Sequence, residues 1–141
     1  MGNCIFCKII DGSIPSEKIY EDEKVLAFLD IAPINFGHLL VIPKEHFVGA
    51  SAIPEDVAGR MFHIASRLGV GMKRALDADG FNLHLADGTS AGQVVMHAHL
   101  HVVPRFFDDG FHWNWRNKEY SSESDRHEIA EKIKLKMKIS E

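Results

Sequence analysis

Residues 97–103 read His97-Ala98-His99-Leu100-His101-Val102-Val103, a stretch with a histidine at every second position. Side chains of a β-strand alternate between its two faces, so a strand would put the three imidazoles on one face and the small and apolar residues on the other. We therefore predict a strand over residues 94–103 whose apolar face meets a core. Three neighbouring imidazoles fill a core poorly, which indicates that the histidine face performs chemistry.

Short apolar runs elsewhere predict the other strands of a sheet. They lie at residues 18–20, 25–29, 38–43 and 81–85 and are bounded by turn-forming residues. Strands joined as hairpins, together with one long helix and one C-terminal helix, give an α+β fold with an antiparallel sheet. We expect one domain over residues 1–141, with a core at about 3–106 and a C-terminal extension at 107–141.

Three helices are predicted from capping signals and apolar spacing. Residues 4–11 suit a short helix, and Pro54 followed by two acidic residues suits the start of a long one. We expect this long helix to stop near Gly80. Ser122 and Asp125 resemble a capping box for the last helix.

The composition is that of an ordinary soluble globular protein. The chain has 141 residues, of which 45% are hydrophobic and 26% charged, with a net charge of −4. A general nucleic-acid binder needs a clustered positive surface. The net negative charge therefore argues against this class of protein. No apolar run is long enough to span a bilayer, and the N-terminus lacks the pattern of a signal peptide. We expect a soluble cytoplasmic protein with no membrane or nucleic-acid partner.

Three interpretations of the histidine run compete. The histidines could lie on an exposed face without function, which is common for one histidine and a poor account of three. Two ring nitrogens at i and i+2 could close around a zinc ion, with His38, His101 or Asp87 as further ligands. A neutral imidazole could also attack phosphorus and form a covalent intermediate, while neighbouring donors neutralise the phosphate oxygens.

The residues around the run favour phosphorus chemistry. Gly92 lets the backbone approach a ligand closely, and the amide of Gln93 can donate to a phosphate oxygen. Arg105 follows the run. Asp30 can accept hydrogen bonds from ribose hydroxyls.

The chain resembles the histidine triad (HIT) family over roughly residues 3–106. Residues 97–103 match the family signature H-φ-H-φ-H-φ-φ, in which φ is apolar. Further similar segments are CIFCKII (4–10), IP (14–15), AFLDI (27–31), GHLLVIPK (37–44), AGQ-x-V-x-H (91–97) and PR (104–105). The resemblance implies a HIT-like version of the predicted α+β fold.

The resemblance also implies a nucleotide hydrolase or transferase that acts at the α-phosphate. His99 would be the nucleophile, and water would hydrolyse its nucleotidyl-histidine intermediate to release a nucleoside monophosphate such as AMP. This chemistry would need no metal. His101 and Gln93 would contact the phosphate, and His38 and His97 would support the triad.

The same resemblance implies where a nucleotide binds. Asp30 would hold the ribose, and Gly92 would lie next to the phosphate. The base-binding wall would consist of apolar residues that we would otherwise assign to the core, namely Ile5, Phe6, Ile9, Phe28 and Ile31. The implied substrate is a purine nucleotide containing adenosine, such as a nucleoside phosphoramidate. Members of the family commonly pair as homodimers.

The two cysteines, Cys4 and Cys7, have a C-x-x-C spacing that favours a metal or redox role in a reducing compartment. A bacterial-type, Hint-like branch of the HIT family places zinc on such a pair, on a later histidine and on the first triad histidine. The matching positions here add His46 and His97 to the cysteines. The resemblance implies a structural zinc, with His99 and His101 left for the phosphate. The alternative is two free thiols beside a surface histidine.

Other functions stay open at this point. A dinucleoside polyphosphate hydrolase of the same family would share the chemistry and differ in the leaving group. A zinc-stabilised nucleotide-binding protein would show little turnover, and a metal-dependent hydrolase would lose catalysis on chelation. Val94 and Ala86 stand where relatives often carry Ser or Thr and Asn, respectively, so the leaving-group preference is open as well.

Several other conspicuous residues have ordinary structural explanations. We expect His63 to lie on a solvated or partly buried face of the long helix, and His84 and His127 to be ordinary surface residues. Trp113 and Trp115 are expected to be packing residues of the C-terminal segment.

Overall fold

A computed structural model describes residues 2–137 of the chain, which contain an antiparallel sheet with two helices packed on it. The sheet has five strands in the order β1-β2-β3-β5-β4. They are β1 (Lys18–Glu21), β2 (Val25–Leu29), β3 (Leu39–Pro43), β4 (Gly80–His84) and β5 (Leu100–Arg105). All four neighbouring pairs are antiparallel, which confirms the predicted α+β class.

Residues 2–137 contain the three expected α-helices: α1 (Ile5–Ile10), α2 (Glu55–Leu76) and α3 (Glu123–Lys136). The Sγ atom of Cys4 accepts a hydrogen bond from the backbone N–H of Cys7 and so caps α1. The hydroxyl of Ser122 accepts from the N–H of Asp125 and caps α3.

The long helix ends earlier than the sequence pattern predicts. Asp77 adopts a left-handed conformation with φ of 52°, and its N–H donates to the carbonyl of Lys73. An Asp tolerates this conformation better than most residues and can end a helix there, as Asn or Gly does. Gly80, the expected stop, is instead the first residue of β4.

The sheet has a hydrophobic core on each face. Val41, Leu100 and Val102 point toward α2, where they meet Met61 and Ala65. On the opposite face, residues of β2 and β3 pack against α1 through Phe6 and Ile9, and these residues are Leu26, Phe28, Leu40 and Ile42. The apolar side of the histidine run therefore faces a core, as its alternation predicts.

The strand that carries the histidines is shorter than predicted. It begins at Leu100, so residues 94–99 are not part of the sheet. The pairing of β5 with β3 ends at Val41. Beyond that pair Pro43 has no N–H to donate, and its carbonyl accepts a hydrogen bond from the ring of His97. The N–H of Ala98 donates to the carbonyl of Phe47, 2.7 Å away, in the loop after β3.

The described residues fall into two compact units, one ending at Phe111 and the other beginning at His112. The second unit contains α3, whose residues Ile129 and Ile133 are exposed. Trp113 and Trp115 stack on each other with ring centroids 5.1 Å apart. The expectation of one domain over residues 1–141 stays a prediction. Within residues 2–137, no helix combines the length and the apolar character needed to cross a membrane.

A pair of glycines in α2 offers a direct test of the packing of this helix on the sheet. A Cβ atom on Gly69 would lie 2.4 Å from Cε2 of Phe81, whereas one on Gly71 would meet nothing within 4 Å. We expect Gly69→Ala to lower the free energy of unfolding by about 1–3 kcal/mol through overpacking. Gly71→Ala should raise it by about 0.5–1 kcal/mol because alanine favours a helix. Urea denaturation of both variants checks the contrast, and equal effects would contradict the packing.

Candidate active site and metal centre

An apolar cavity of about 440 Å³ lies on the α1 face of the sheet. All the apolar residues expected to form the base-binding wall line it, and these are Ile5, Phe6, Ile9, Phe28 and Ile31. Asp30, Gly92, His99 and His101 line it as well. The structure thus brings nine of the ten residues predicted to bind the nucleotide to one cavity. The exception is Gln93.

The ring of His99 is buried and oriented by the backbone. Its Nδ1 atom lies 2.7 Å from the carbonyl oxygen of His97, and a carbonyl only accepts hydrogen bonds. Nδ1 therefore carries the proton, and in the neutral ring the lone pair is on Nε2. The ring also makes an edge contact with Phe6 at a centroid distance of 5.2 Å. A protonated Nδ1 and a basic Nε2 are what a nucleophilic imidazole needs.

His38 and His101 form a hydrogen-bonded relay, in which His38 determines the tautomer of His101. The N–H of Ile34 donates to Nδ1 of His38, so Nε2 of His38 carries the proton. That Nε2 lies 2.9 Å from Nδ1 of His101 and donates to it. His101 consequently carries its own proton on Nε2 and can donate to a ligand in the cavity that it lines.

Burial keeps both rings of the relay neutral. It lowers the pKa of His38, although Asp30, whose Oδ2 lies 3.7 Å from Nε2 of His38, acts in the opposite direction. Burial, with a smaller contribution from the neighbouring histidines, lowers the pKa of His101 to about 3. At neutral pH the relay therefore presents hydrogen-bond donors without positive charge.

His84 is not the ordinary surface residue that we expected from the sequence. It is the partner of His101 in the pairing of β4 with β5, and the two rings stack with centroids 4.2 Å apart and an angle of 10°. The pairing is between distant segments of the chain, so no local sequence signal identifies it. His63, by contrast, lies exposed on α2 as predicted.

Gln93 holds a loop together and does not line the cavity. It is buried, and its Oε1 atom accepts from the N–H of Gly88. Its Nε2 atom donates to the carbonyls of Val48 and Val95 at 2.6 and 3.0 Å. Both amide hydrogens are therefore in use, which corrects our expectation that the side chain is available to a phosphate.

Replacing Gln93 tests whether its side chain holds the loop or contacts the phosphate. Gln93→Ala leaves the Gly88 N–H and two carbonyls without their partner, so we expect the free energy of unfolding to fall by about 1–3 kcal/mol. Thermal and urea unfolding measure this change, and catalytic assays of the same preparation accompany them. A loss of activity at unchanged stability would contradict the loop-holding role and favour direct phosphate contact.

Four side chains adjoin the cavity in a cluster suited to a metal ion. Cys4 and Cys7 come from the start of α1, His46 from the loop after β3, and His97 from the segment before β5. Their ligand atoms all lie within 4.8 Å of one another. The structure therefore brings together all four residues predicted to bind zinc.

The distances in the cluster fit a tetrahedral zinc site. Nδ1 of His46 lies 3.1 Å from Nδ1 of His97, and Sγ of Cys7 lies 3.3 Å from Nδ1 of His46. Sγ of Cys4 lies 3.4 Å from Nδ1 of His97. Ligands around tetrahedral zinc would be separated by about 3.3 Å for two nitrogens and about 3.6 Å for nitrogen and sulfur. The four residues are thus positioned to bind a metal.

His97 connects this cluster to His99 by using different atoms. Nε2 lies 2.8 Å from the carbonyl of Pro43 and donates to it, so Nδ1 offers its lone pair to the cluster. Burial lowers the pKa of His97, which favours the neutral ring that a metal binds. The backbone carbonyl of His97 meanwhile orients His99.

The sequence from residue 11 to residue 108 matches the HIT domain family. The chain belongs to the HIT family. A HIT family member from Bacillus subtilis has a crystal structure with a TM-score of 0.90 and 40% sequence identity, and the match covers 98% of this chain and 99% of that one. The membership and the HIT fold that the family resemblance implied are confirmed.

Two further HIT proteins bear on the chemistry. The Zn-bound histidine triad family protein from Mycobacterium smegmatis is 39% identical, with a TM-score of 0.75, and the match covers 95% of this chain and 96% of that one. Adenylylsulfatase HINT3 from Arabidopsis thaliana is 40% identical over 103 residues, which are 73% of this chain and 52% of that protein.

Proposed function

We propose that this HIT protein is a nucleotide hydrolase that acts at the α-phosphate and releases AMP, for example from adenosine phosphoramidates. The observation that carries the proposal is the orientation of His99, whose Nδ1–H donates to the carbonyl of His97 beside the apolar cavity. This bond leaves Nε2 with a lone pair for attack on phosphorus. The relationship to an adenylylsulfatase supports the adenylyl group as the part recognised.

The cavity suits a nucleoside. Its apolar wall between α1 and β2 accepts a flat base, and Phe6 and Phe28 meet edge to face at 5.6 Å within it. Asp30 lines the same cavity and would accept hydrogen bonds from the ribose hydroxyls. One of its carboxylate oxygens accepts from the N–H of Ala32 at 2.8 Å, which fixes the side chain.

In the first step, Nε2 of His99 attacks the α-phosphorus. A nitrogen–phosphorus bond forms, and the bond from phosphorus to the leaving group breaks, with the leaving amine taking a proton from solvent. The His99 ring becomes positively charged, and its Nδ1–H bond to the His97 carbonyl stabilises that charge. Nε2–H of His101 donates to a phosphate oxygen as negative charge is redistributed.

In the second step, water attacks the same phosphorus. An oxygen–phosphorus bond forms and the bond to Nε2 of His99 breaks, so the ring regains its lone pair. The water proton passes to solvent as AMP is released. The sum of the two steps is hydrolysis of the phosphoramidate to AMP and the amine.

We infer that Cys4, Cys7, His46 and His97 hold a structural zinc ion. Such an ion supplies a cross-link between segments and takes no part in either bond exchange. The support is the tetrahedral spacing of the ligand atoms and the 39% identity to a Zn-bound relative. The cross-link would fix α1, which carries part of the cavity wall.

The stereochemical course of the reaction tests the two-step mechanism. Each in-line displacement inverts the configuration at phosphorus, so two displacements give retention. We expect retention when a phosphorothioamidate of adenosine with one configuration at phosphorus is hydrolysed in ¹⁸O-labelled water. Inversion would show direct attack by water and would overturn the proposed intermediate.

A substrate panel separates the proposed activity from its alternatives. The phosphoramidate should have a higher kcat/KM than diadenosine tetraphosphate, because among residues 2–137 the cavity lining contains no lysine or arginine to bind a polyphosphate. The reverse order would favour a dinucleoside polyphosphate hydrolase. Binding of AMP without turnover of either substrate would favour a nucleotide-binding protein. The homodimer and the cytoplasmic location stay predictions.

A further inference from the structure

The imidazole of His84 covers one face of the His101 ring. The two residues are paired across β4 and β5, and their rings are nearly parallel. A cross-strand pair on the same face of a sheet has side chains in direct contact. His84 itself does not line the cavity, so any influence on a substrate acts through His101.

His101 is enclosed by other titratable groups. His38 donates to its Nδ1 atom, and the ring of His99 lies at a centroid distance of 4.9 Å and an angle of 60°. Oδ2 of Asp30 lies 3.7 Å from Nε2 of His38. Of these neighbours, His84 has the closest ring to His101, at 4.2 Å between centroids.

We propose that His84 is a positioning residue, whose stacked ring holds the His101 imidazole in the orientation in which Nδ1 accepts from His38 and Nε2 donates. The role rests on the proposed function, because it concerns the donor that meets the phosphate. Nothing in the histidine signature itself includes this position, which belongs to a different strand.

Stacking carries this role, and burial keeps the ring neutral. A ring held between neighbours loses rotational freedom, so its Nε2–H stays aimed at one point in the cavity. A proton added to His101 would place a positive charge among partly buried imidazoles. After burial, the proximity of His84 is the largest cause that lowers the pKa of His101. Burial is the larger cause and persists without His84, so the His101 ring should stay neutral above pH 5 in either variant of His84.

Nuclear magnetic resonance of ¹⁵N-histidine protein tests the proposal without any substrate. The ring nitrogen signals report the tautomer and protonation of His101, and His101→Gln identifies them by their disappearance. We expect His101 in the wild type to stay neutral, with the proton on Nε2, from pH 5 to pH 8. In His84→Leu we expect a mixture of the Nδ1–H and Nε2–H tautomers within this range, because the unstacked ring can turn away from the His38 donor. His84→Phe, which keeps a flat ring, should retain the Nε2–H tautomer.

Kinetics with an adenosine phosphoramidate provide the second readout. At pH 6 we expect His84→Leu to lower kcat by about tenfold with little change in KM, since misalignment of a reacting group costs rate more than binding. His84→Phe should stay near the wild type, as should the exposed control His63→Leu.

Two results would overturn the role of His84. One is an unchanged tautomer and an unchanged kcat in His84→Leu, and the other is a defect in His84→Phe as large as in His84→Leu. If His84→Leu does not fold, the spectra of His84→Phe decide, because loss of the Nε2–H tautomer there would also overturn it. The expected spectra in a protein that releases no AMP would refute the proposed function and leave the positioning role intact.

Discussion

His99→Ala is expected to lower kcat/KM for AMP release by about 10⁴-fold or more. Removal of a covalent nucleophile abolishes the two-step route and leaves only what binding and neighbouring donors can do for direct attack by water. The cavity wall keeps its shape, because the wall residues belong to α1, to β2 and to the segment that follows β2. The affinity for AMP, measured by calorimetry, should therefore remain close to that of the wild type.

Two controls make this result specific to the nucleophile. His63→Ala changes an exposed histidine of α2 and should leave turnover unchanged. His99→Gly opens space for free imidazole, which should restore part of the activity in proportion to its concentration. Turnover by His99→Ala within about tenfold of the wild type, purified away from contaminating hydrolases, would contradict the role of His99.

The sequence predicted most of the residues that line the cavity because its signals are local. The alternation of His99, Leu100 and His101 determines which side chains face the cavity and which face α2, and the structure agrees. The same alternation led us to predict a strand that begins at residue 94, whereas the observed strand begins at Leu100. What ends the strand is the missing N–H of Pro43 and the bond from His97 to its carbonyl, and both involve a distant segment.

The residues that sequence reasoning misjudged depend on non-local pairing. His84 is seventeen positions before His101, and only the register of β4 against β5 brings their rings together. Gln93 has the chemistry of a phosphate ligand, yet its amide meets the carbonyl of Val48, a residue 45 positions away. The metal cluster was predictable despite joining three segments, because the family resemblance supplied all four positions.

Removal of zinc is expected to destabilise the protein far more than it slows the chemical step. The metal would join α1, the loop after β3 and the segment before β5, none of which is connected to the others by strand pairing. A ligand present at a thousand times its Kd stabilises the folded state by about 4 kcal/mol. We therefore expect chelation, or Cys7→Ser, to lower Tm by about 10 °C or more.

The kinetic consequence of zinc removal distinguishes a structural ion from a catalytic one. Well below the lowered Tm, kcat should stay near its wild-type value because Nε2 of His99 attacks phosphorus without the metal. KM should rise, since Cys4 and Cys7 hold α1 in place and α1 supplies Ile5, Phe6 and Ile9 to the cavity. His63→Gln, which changes a histidine outside the cluster, should show the same response to chelation as the wild type. Loss of kcat on chelation in a protein that remains folded would instead support a metal-dependent hydrolase, and an unchanged Tm would refute the structural zinc.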